Sequence, residues 1–174
     1  MKILLIGPQG SGKSTQSDLL SQELNLPKIS TGDIFRKLSK EDSEVSLKVS
    51  KILSEGKLVD DELTAKIVEK RLNEDDCKNG FIMDGYPRNI AQVQIFDPNF
   101  DKAIYLKVDN DELIKRLTQR GRSDDTPEGI KTRLDLYFQQ TAPLLNFYRE
   151  KGILKEVDGL GDVNQIQSEI RKNL

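Results

Sequence analysis

The sequence predicts an α/β fold: a five-stranded parallel sheet with helices on both faces. Three observations carry this expectation. Short apolar runs that read as buried strands alternate along the chain with segments of helical spacing, the pattern of repeated βαβ units. The first of those runs leads directly into a glycine-rich loop and then into a helix. A length of 174 residues, with 36% apolar and 32% charged side chains, suits one folded domain around one core.

Taken in order, Lys2-Ile3-Leu4-Leu5-Ile6 is a continuous apolar run ended by Gly7-Pro8, which predicts a buried strand. Leu19, Leu20 and Leu24 fall at helical spacing over 12–24, and Pro27 limits that helix before a short strand at Lys28-Ile29-Ser30. The polar stretch 33–79 carries Val45, Val49, Ile52 and Leu53 on one helical face and Leu63, Ile67, Val68 and Leu72 on another, so it reads as a helical insertion. Gly56 suits a helix stop and Asp60 the next N-cap, with Asp61 and Glu62 at the positive end of the helix that follows. Further strands are expected at Gly80-Phe81-Ile82-Met83-Asp84, at 103–108 and at 153–157. A helix should span 110–120, and a long one 126–151, with Pro127 at its tolerated first position and Pro143 bending it.

Composition excludes several chemistries. The chain contains no histidine, which removes imidazole general bases, Ser-His and Cys-His nucleophiles and imidazole metal sites. Its one cysteine, Cys77, excludes an internal disulfide framework and a multi-cysteine zinc site, and suits a reducing compartment. Twenty-seven basic against 29 acidic residues leave a net charge of −2, which offers no global field for nucleic acid or an anionic membrane. No apolar run is long enough to cross a bilayer or to form a signal-peptide core, so a cytoplasmic location is expected.

Gly7-Pro8-Gln9-Gly10-Ser11-Gly12-Lys13-Ser14 matches the phosphate-binding pattern G-x-x-x-x-G-K-[ST], in its required place between a strand and a helix. Glycines let backbone N–H groups turn inward around phosphate oxygens, the helix N-terminus adds positive potential, and Lys13 reaches the outer phosphates. Ser14 or Thr15 offers a hydroxyl toward Mg²⁺, and Asp84 closes a strand where a carboxylate can hold a metal-bound water. Four of the nine arginines, Arg116, Arg120, Arg122 and Arg133, crowd into 116–133. Guanidinium groups are what phosphoryl transfer uses to neutralise developing charge.

In series these segments resemble the adenylate kinase family of P-loop kinases. Residues 7–16 look like its first loop, Ser30-Thr31-Gly32-Asp33-Ile34-Phe35-Arg36 like its S-T-G-D-x-x-R, and Gly56-Lys57-Leu58-Val59 like its G-x-L-V. Asp84-Gly85-Tyr86-Pro87-Arg88 is similar to D-G-[FY]-P-R, Gly121-Arg122-Ser123-Asp124-Asp125 with Arg133 to G-R-x-D-D…R, and Thr141-Ala142-Pro143-Leu144 to T-A-P-L. The resemblance implies a Mg²⁺-dependent monomer without zinc, with the reaction ATP + AMP ⇌ 2 ADP.

It further implies that ATP meets Gly10, Ser11, Gly12, Lys13, Ser14, Thr15, Arg116, Arg120 and, at the adenine, Gly161. AMP would meet Thr31, Arg36, Lys57, Leu58, Val59, Gly85, Tyr86, Pro87, Arg88 and Gln92, with Arg122 and Arg133 bridging to the transferring phosphoryl. Lys13, Arg88, Arg120, Arg122 and Arg133 would be catalytic, and Ser14 and Asp84 would serve Mg²⁺. Residues 30–59 become the AMP-binding insertion and 120–126 a minimal lid. Two departures stand out: Ser14 replaces a usual glycine, and one residue separates Arg120 from Arg122 where the family places several. A UMP/CMP kinase would share the short lid and the Arg88-Asn89 pair, but Thr31 and Gln92 favour AMP. A GTP-dependent switch would need an N-K-x-D tetrapeptide, and the chain has none. A non-catalytic nucleotide-binding protein is the remaining alternative.

Overall fold

The computed structural model describes residues 1–40, 44–54, 59–122 and 125–174. Alternate residues of strand β1 (Lys2–Ile6) point to opposite sides of a sheet, and both sides are apolar because both are covered. Leu4 and Ile6 enter one core and Ile3 and Leu5 the other. β1 is central, and among the described residues the order is β2-β3-β1-β4-β5, all parallel, with β2 at Lys28–Ser30, β3 at Phe81–Asp84, β4 at Lys102–Lys107 and β5 at Leu154–Asp158. The expected fold class and strands are therefore present.

Helices α1 (Lys13–Leu24) and α9 (Val163–Lys172) cover one face through Leu20, Ile166 and Ile170. The other face takes α4 (Asp61–Leu72) with Ala65 and Val68, the short α5 (Ile90–Ile95) with Val93, and α8 (Pro143–Glu150) with Leu144 and Tyr148. The insertion has its own small core, in which Phe35 of α2 (Thr31–Leu38), Val49 of α3 (Glu44–Ser54) and Val59 meet Leu63 and Ile67 of α4. α4 thus belongs to two cores at once. The side chains of Val45 and Leu53, and Gly56 entirely, lie outside the described residues. Asp60 caps α4 as expected, its carboxylate accepting from the Leu63 N–H at 3.0 Å.

Helix α6 (Asn110–Arg120) has the expected bounds. The long helix expected over 126–151 is divided: α7 (Pro127–Leu136), a π-helical turn (Tyr137–Thr141), then α8. Pro143 has no N–H and its ring crowds the carbonyl one turn back, so the helix widens into a π-turn before it. The Ala142 N–H accordingly reaches the Tyr137 carbonyl at 2.9 Å, five residues earlier. Among the described residues no helix is long and apolar enough to cross a membrane.

Connections leave the neighbouring strands β1 and β3 toward opposite edges of the sheet, which opens a crevice beyond their carboxyl ends.

Tyr148 is fully buried between Phe100 and Phe147, and no hydrogen-bond partner is found for its hydroxyl. Burying an unpartnered hydroxyl costs about 1–3 kcal/mol. Tyr148→Phe is expected to leave stability unchanged or raise it by about 1 kcal/mol in urea unfolding at constant m. A loss of more than about 1 kcal/mol would show that the hydroxyl is used.

Candidate functional site

A cleft of about 790 Å³ opens at the carboxyl edge of the sheet, walled by residues 9–16, the insertion, the segment after β3 and the arginine-rich helices. Seven cationic side chains line it, Lys13, Arg36, Arg88, Arg116, Arg120, Arg122 and Arg133. Asp84 is the one carboxylate that lines the cleft with them among the described residues. A chain of net charge −2 therefore presents a concentrated positive cavity, suited to a polyanion.

The loop after β1 turns on glycines. Gly10 has φ +86°, and a Cβ there would stand 3.1 Å from Leu117 Cγ and 3.2 Å from the Leu113 carbonyl, so the backbone lies hard against α6. Gly10 and Gly12 flank Ser11, whose N–H is taken by the Pro8 carbonyl at 3.2 Å, at the start of α1, whose first turn holds no acidic side chain to neutralise it. The Lys13 ammonium folds back to donate to the Pro8 carbonyl at 2.8 Å. Burial lowers its pKa to about 8, with Arg88 and Arg120 acting the same way and Asp84 opposing. Ser14 Oγ accepts from Lys28 Nζ at 2.8 Å, while Thr15 and Gly161 also line the cleft. Gln16 Nε2 donates to the Val163 carbonyl at 3.0 Å and ties this helix to α9, beside the Gly161 turn.

On the opposite wall, Thr31 Oγ1 donates to the Gly85 carbonyl at 2.9 Å, and Arg88 Nε reaches the same oxygen at 3.0 Å. Gly85, at φ +92°, would place a Cβ 2.6 Å from Thr31 Oγ1, so the contact requires glycine. Burial pushes the Arg88 guanidinium's pKa down, against the pull of Asp84. Thr141, in the π-helical turn, donates to the Arg88 carbonyl at 2.7 Å. Arg36 pairs with Asp33 at 2.5 Å. Gln92 is 1% exposed at the cleft wall. Val59 and Pro87 line the cleft too.

Tyr86 does not line it. The Tyr86 ring is fully buried in the core and its hydroxyl lies 2.9 Å and 2.7 Å from the Gln92 and Phe96 carbonyls, so only its backbone can serve the site. Lys57 and Leu58 lie outside the described residues.

The arginines of α6 and α7 are gathered by one carboxylate. Asp125 accepts from Arg120 Nε at 2.9 Å and Nη2 at 2.6 Å, from Arg133 Nη2 at 2.8 Å, and from the Arg122 N–H at 3.1 Å. Burial alone would raise its pKa, but these donors hold it at about 2. The depressed carboxyl contributes about 2 kcal/mol of stability. That contribution is full above the ordinary carboxylate pKa and is lost as pH falls toward 2. Arg116 is tied separately, its Nε donating to Glu112 at 2.8 Å.

Every described residue expected in the site lines this cleft, Tyr86 excepted. Sequence reasoning gave no role to Asp125, Asp61, Asn89 or Thr141, each of which holds another site residue, and of which Thr141 also lines the cleft. Asp125 and Thr141 stood inside the quoted motifs. Asp61 carried only the signal of a first-turn acid, and Asn89 only that of a residue after Pro-Arg.

The donor set suits a hard cation held jointly with phosphates. Mg²⁺ takes one or two protein oxygens and keeps waters and substrate oxygens, and the Asp84 carboxylate and Thr15 hydroxyl are of that kind. No cluster of three acidic or cysteine ligands occurs among the described residues. Ser14 Oγ, expected to serve Mg²⁺, accepts from the Lys28 ammonium at 2.8 Å.

Comparison with known proteins agrees with this chemistry. The family described as adenylate kinase matches residues 5–153. The chain is 45% identical over 185 aligned positions to the adenylate kinase of Bifidobacterium longum (strain NCC 2705), covering 100% of both chains. It is 42% identical to that of Clavibacter michiganensis subsp. michiganensis (strain NCPPB 382), covering 99% of this chain and 92% of the relative. With that of Thermobifida fusca (strain YX) it shares 41% identity, over 95% and 94%.

Lys13 gives this site a pH dependence. A bound polyphosphate restores the ammonium's pKa, so binding takes up a proton above pH 8. Nucleoside triphosphate affinity is expected to fall about five-fold from pH 8 to 9, with the proton uptake visible by calorimetry in buffers of different ionisation enthalpy. Lys13→Met should remove both effects; their persistence would clear Lys13 of the linkage.

Proposed function

The chain belongs to the adenylate kinase family, and from that membership we propose that it catalyses the reversible, Mg²⁺-dependent transfer of the γ-phosphoryl group of ATP to AMP, giving two ADP. The observation that carries this reading is the single cleft in which a phosphate loop and an acceptor wall converge on seven cationic side chains. ATP lies along residues 10–15 with its adenine toward Gly161, under Arg116 and Arg120. AMP lies against Thr31, Arg36, Val59, Gly85, Pro87, Arg88 and Gln92, with residues 30–59 as the insertion that encloses it and Lys57 and Leu58 completing that segment.

An oxygen of the AMP phosphate attacks the γ-phosphorus, the bond from that phosphorus to the β,γ-bridging oxygen breaks, and ADP leaves. The nucleophile is already ionised near neutral pH, so no proton acceptor is needed and the absence of histidine costs nothing. What remains for the protein is alignment and neutralisation of charge spread over the transferring group. Lys13 leaves the Pro8 carbonyl to follow that charge. Arg88 holds the acceptor phosphate, while Arg120, Arg122 and Arg133 close around the transferring group. Mg²⁺, when bound through Asp84-held water and the Thr15 or Ser14 hydroxyl, supplies charge neutralisation across the phosphates.

The one-residue spacing of Arg120 and Arg122 makes 120–126 a minimal lid. The hydrogen bonds to Asp125 support a lid whose arginines ride on nearly fixed helix ends. Closure then falls mainly to the insertion. A monomer in the cytoplasm is the matching state, since both substrate sites belong to one chain and its one cysteine is unpaired.

A coupled assay of ADP formation with ATP, Mg²⁺ and a panel of monophosphates tests the reading. AMP should exceed CMP and UMP at least ~100-fold in kcat/KM, and better use of CMP would make the chain a pyrimidine kinase instead. Lys13→Met should lower kcat ~100-fold or more with the fold retained, an effect of about 3 kcal/mol. Arg122→Ala should cut kcat on the order of 100-fold with little change in ATP affinity; loss of ATP binding at intact kcat would move Arg122 out of the transition state.

A further inference from the structure

Gln92 is held at both ends of its carboxamide. Its Nε2 donates to Asp61 Oδ1 at 2.8 Å and its Oε1 accepts from the Arg88 N–H at 2.8 Å. Asp61 is itself fixed by Asn89 Nδ2, which donates to its two oxygens at 3.0 Å and 3.1 Å. Asn89 Oδ1 in turn caps α5 by accepting the Gln92 N–H at 2.8 Å. Backbone and side chain of Gln92 are thus set by one closed group of three neighbours. A carboxylate only accepts and a backbone N–H only donates. Turning the carboxamide over would bring Oε1 against the Asp61 oxygens and Nε2–H against the Arg88 N–H, so both contacts would become repulsive. The Gln92 carboxamide therefore has one orientation, with one N–H and one oxygen lone pair left over. Thr31, having given its proton to the Gly85 carbonyl, can offer only lone pairs.

We propose that Asp61 is a positioning residue: it fixes the Gln92 carboxamide so that the acceptor site selects nucleobases bearing an amino group beside a ring-nitrogen acceptor and rejects those bearing a carbonyl beside a ring N–H. This rests on the reading that Gln92 faces the base of the acceptor nucleotide. Adenine and cytosine have the first arrangement, while hypoxanthine, guanine and uracil have the second. An oriented carboxamide tells the two apart, because the wrong base sets donor against donor and acceptor against acceptor. A freely turning one would serve both.

The test compares kcat/KM for AMP and IMP, at saturating ATP and Mg²⁺, in the wild type and three variants. Wild type should prefer AMP at least ~100-fold, and in the smaller pyrimidines should prefer CMP to UMP. Asp61→Asn keeps the shape of the side chain but can turn either atom to Gln92, so the AMP:IMP ratio should shrink at least ~10-fold while the KM for ATP stays put. Asn89→Ser keeps the helix cap but loses the donors that fix Asp61, and should shrink the ratio by clearly less than Asp61→Asn does. Gln92→Leu should collapse the ratio. If Gln92→Leu leaves the ratio intact, the base-reading role of Gln92 is what fails. If Gln92→Leu collapses it while Asp61→Asn does not, or if Asp61→Asn lowers AMP and IMP together, Asp61 does not orient the carboxamide. An effect of Asn89→Ser as large as that of Asp61→Asn would assign selectivity to the α4–α5 joint in general and overturn the proposal. UMP used as well as CMP by the wild type, which needs no variant to fold, would do the same.

Discussion

Seven cations face one cleft, and until a polyanion enters, their mutual repulsion has to be borne by the scaffold. Most of the local structure around the site answers that constraint. Arg36 is paired with Asp33, Arg116 with Glu112, and Arg120 and Arg133 with Asp125. Each partner lies on the same helix as its arginine or at the next turn of chain. Among the described residues Lys13 and Arg88 have no such partner at hydrogen-bond distance; they lean on carbonyl oxygens and on the field of Asp84. Burial consequently lowers both of their pKa values. Buried and without an ion-pair partner among the described residues, these two charges are left for a bound anion to compensate.

The anchors differ in consequence. Glu112 and Asp33 make short-range pairs on one helix, in geometry that is worth little to stability by itself. Asp125 is another matter, because its side chain is 1% exposed and it joins α6, the α6–α7 connection and α7 through one carboxylate. A buried acceptor shared by three donors cannot release one of them cheaply. The arginines it holds are presented as a set, with their entropy already spent in folding rather than at the moment of transfer. The short connection between α6 and α7 makes this arrangement possible, since a longer excursion would separate Arg120 and Arg122 from α7.

The opposite wall of the cleft follows a related logic, with backbone groups and one carboxylate. The Gly85 and Arg88 carbonyls, the Arg88 N–H and the Asp61 carboxylate each hold a side chain that borders the cleft or its support. The π-helical turn before Pro143 belongs to this set, because it carries Thr141, whose hydroxyl reaches Arg88. A proline that would merely have interrupted a surface helix thus lies one turn from a contact to the acceptor segment.

The sequence by itself determined the parallel α/β class, all five strands within a residue at each end, the phosphate loop and the arginine cluster. Those features rest on local chemistry: apolar runs bounded by glycine and proline, a fixed motif spacing, and charges close together along the chain. Tertiary structure alone decided the pairings. Asp61 and Gln92 are 31 residues apart, and Thr141 is 53 from Arg88, so nothing in either neighbourhood announces the contact. The same holds for Tyr86, whose motif placed it in the site although its ring turns into the core behind it. At Pro143 the sequence announced an irregularity without its form. A proline signals that a helix cannot continue unchanged, but whether it bends, stops or widens by one residue depends on what packs against it, here Leu144 and Tyr148 in the core and the Arg88 carbonyl that Thr141 reaches.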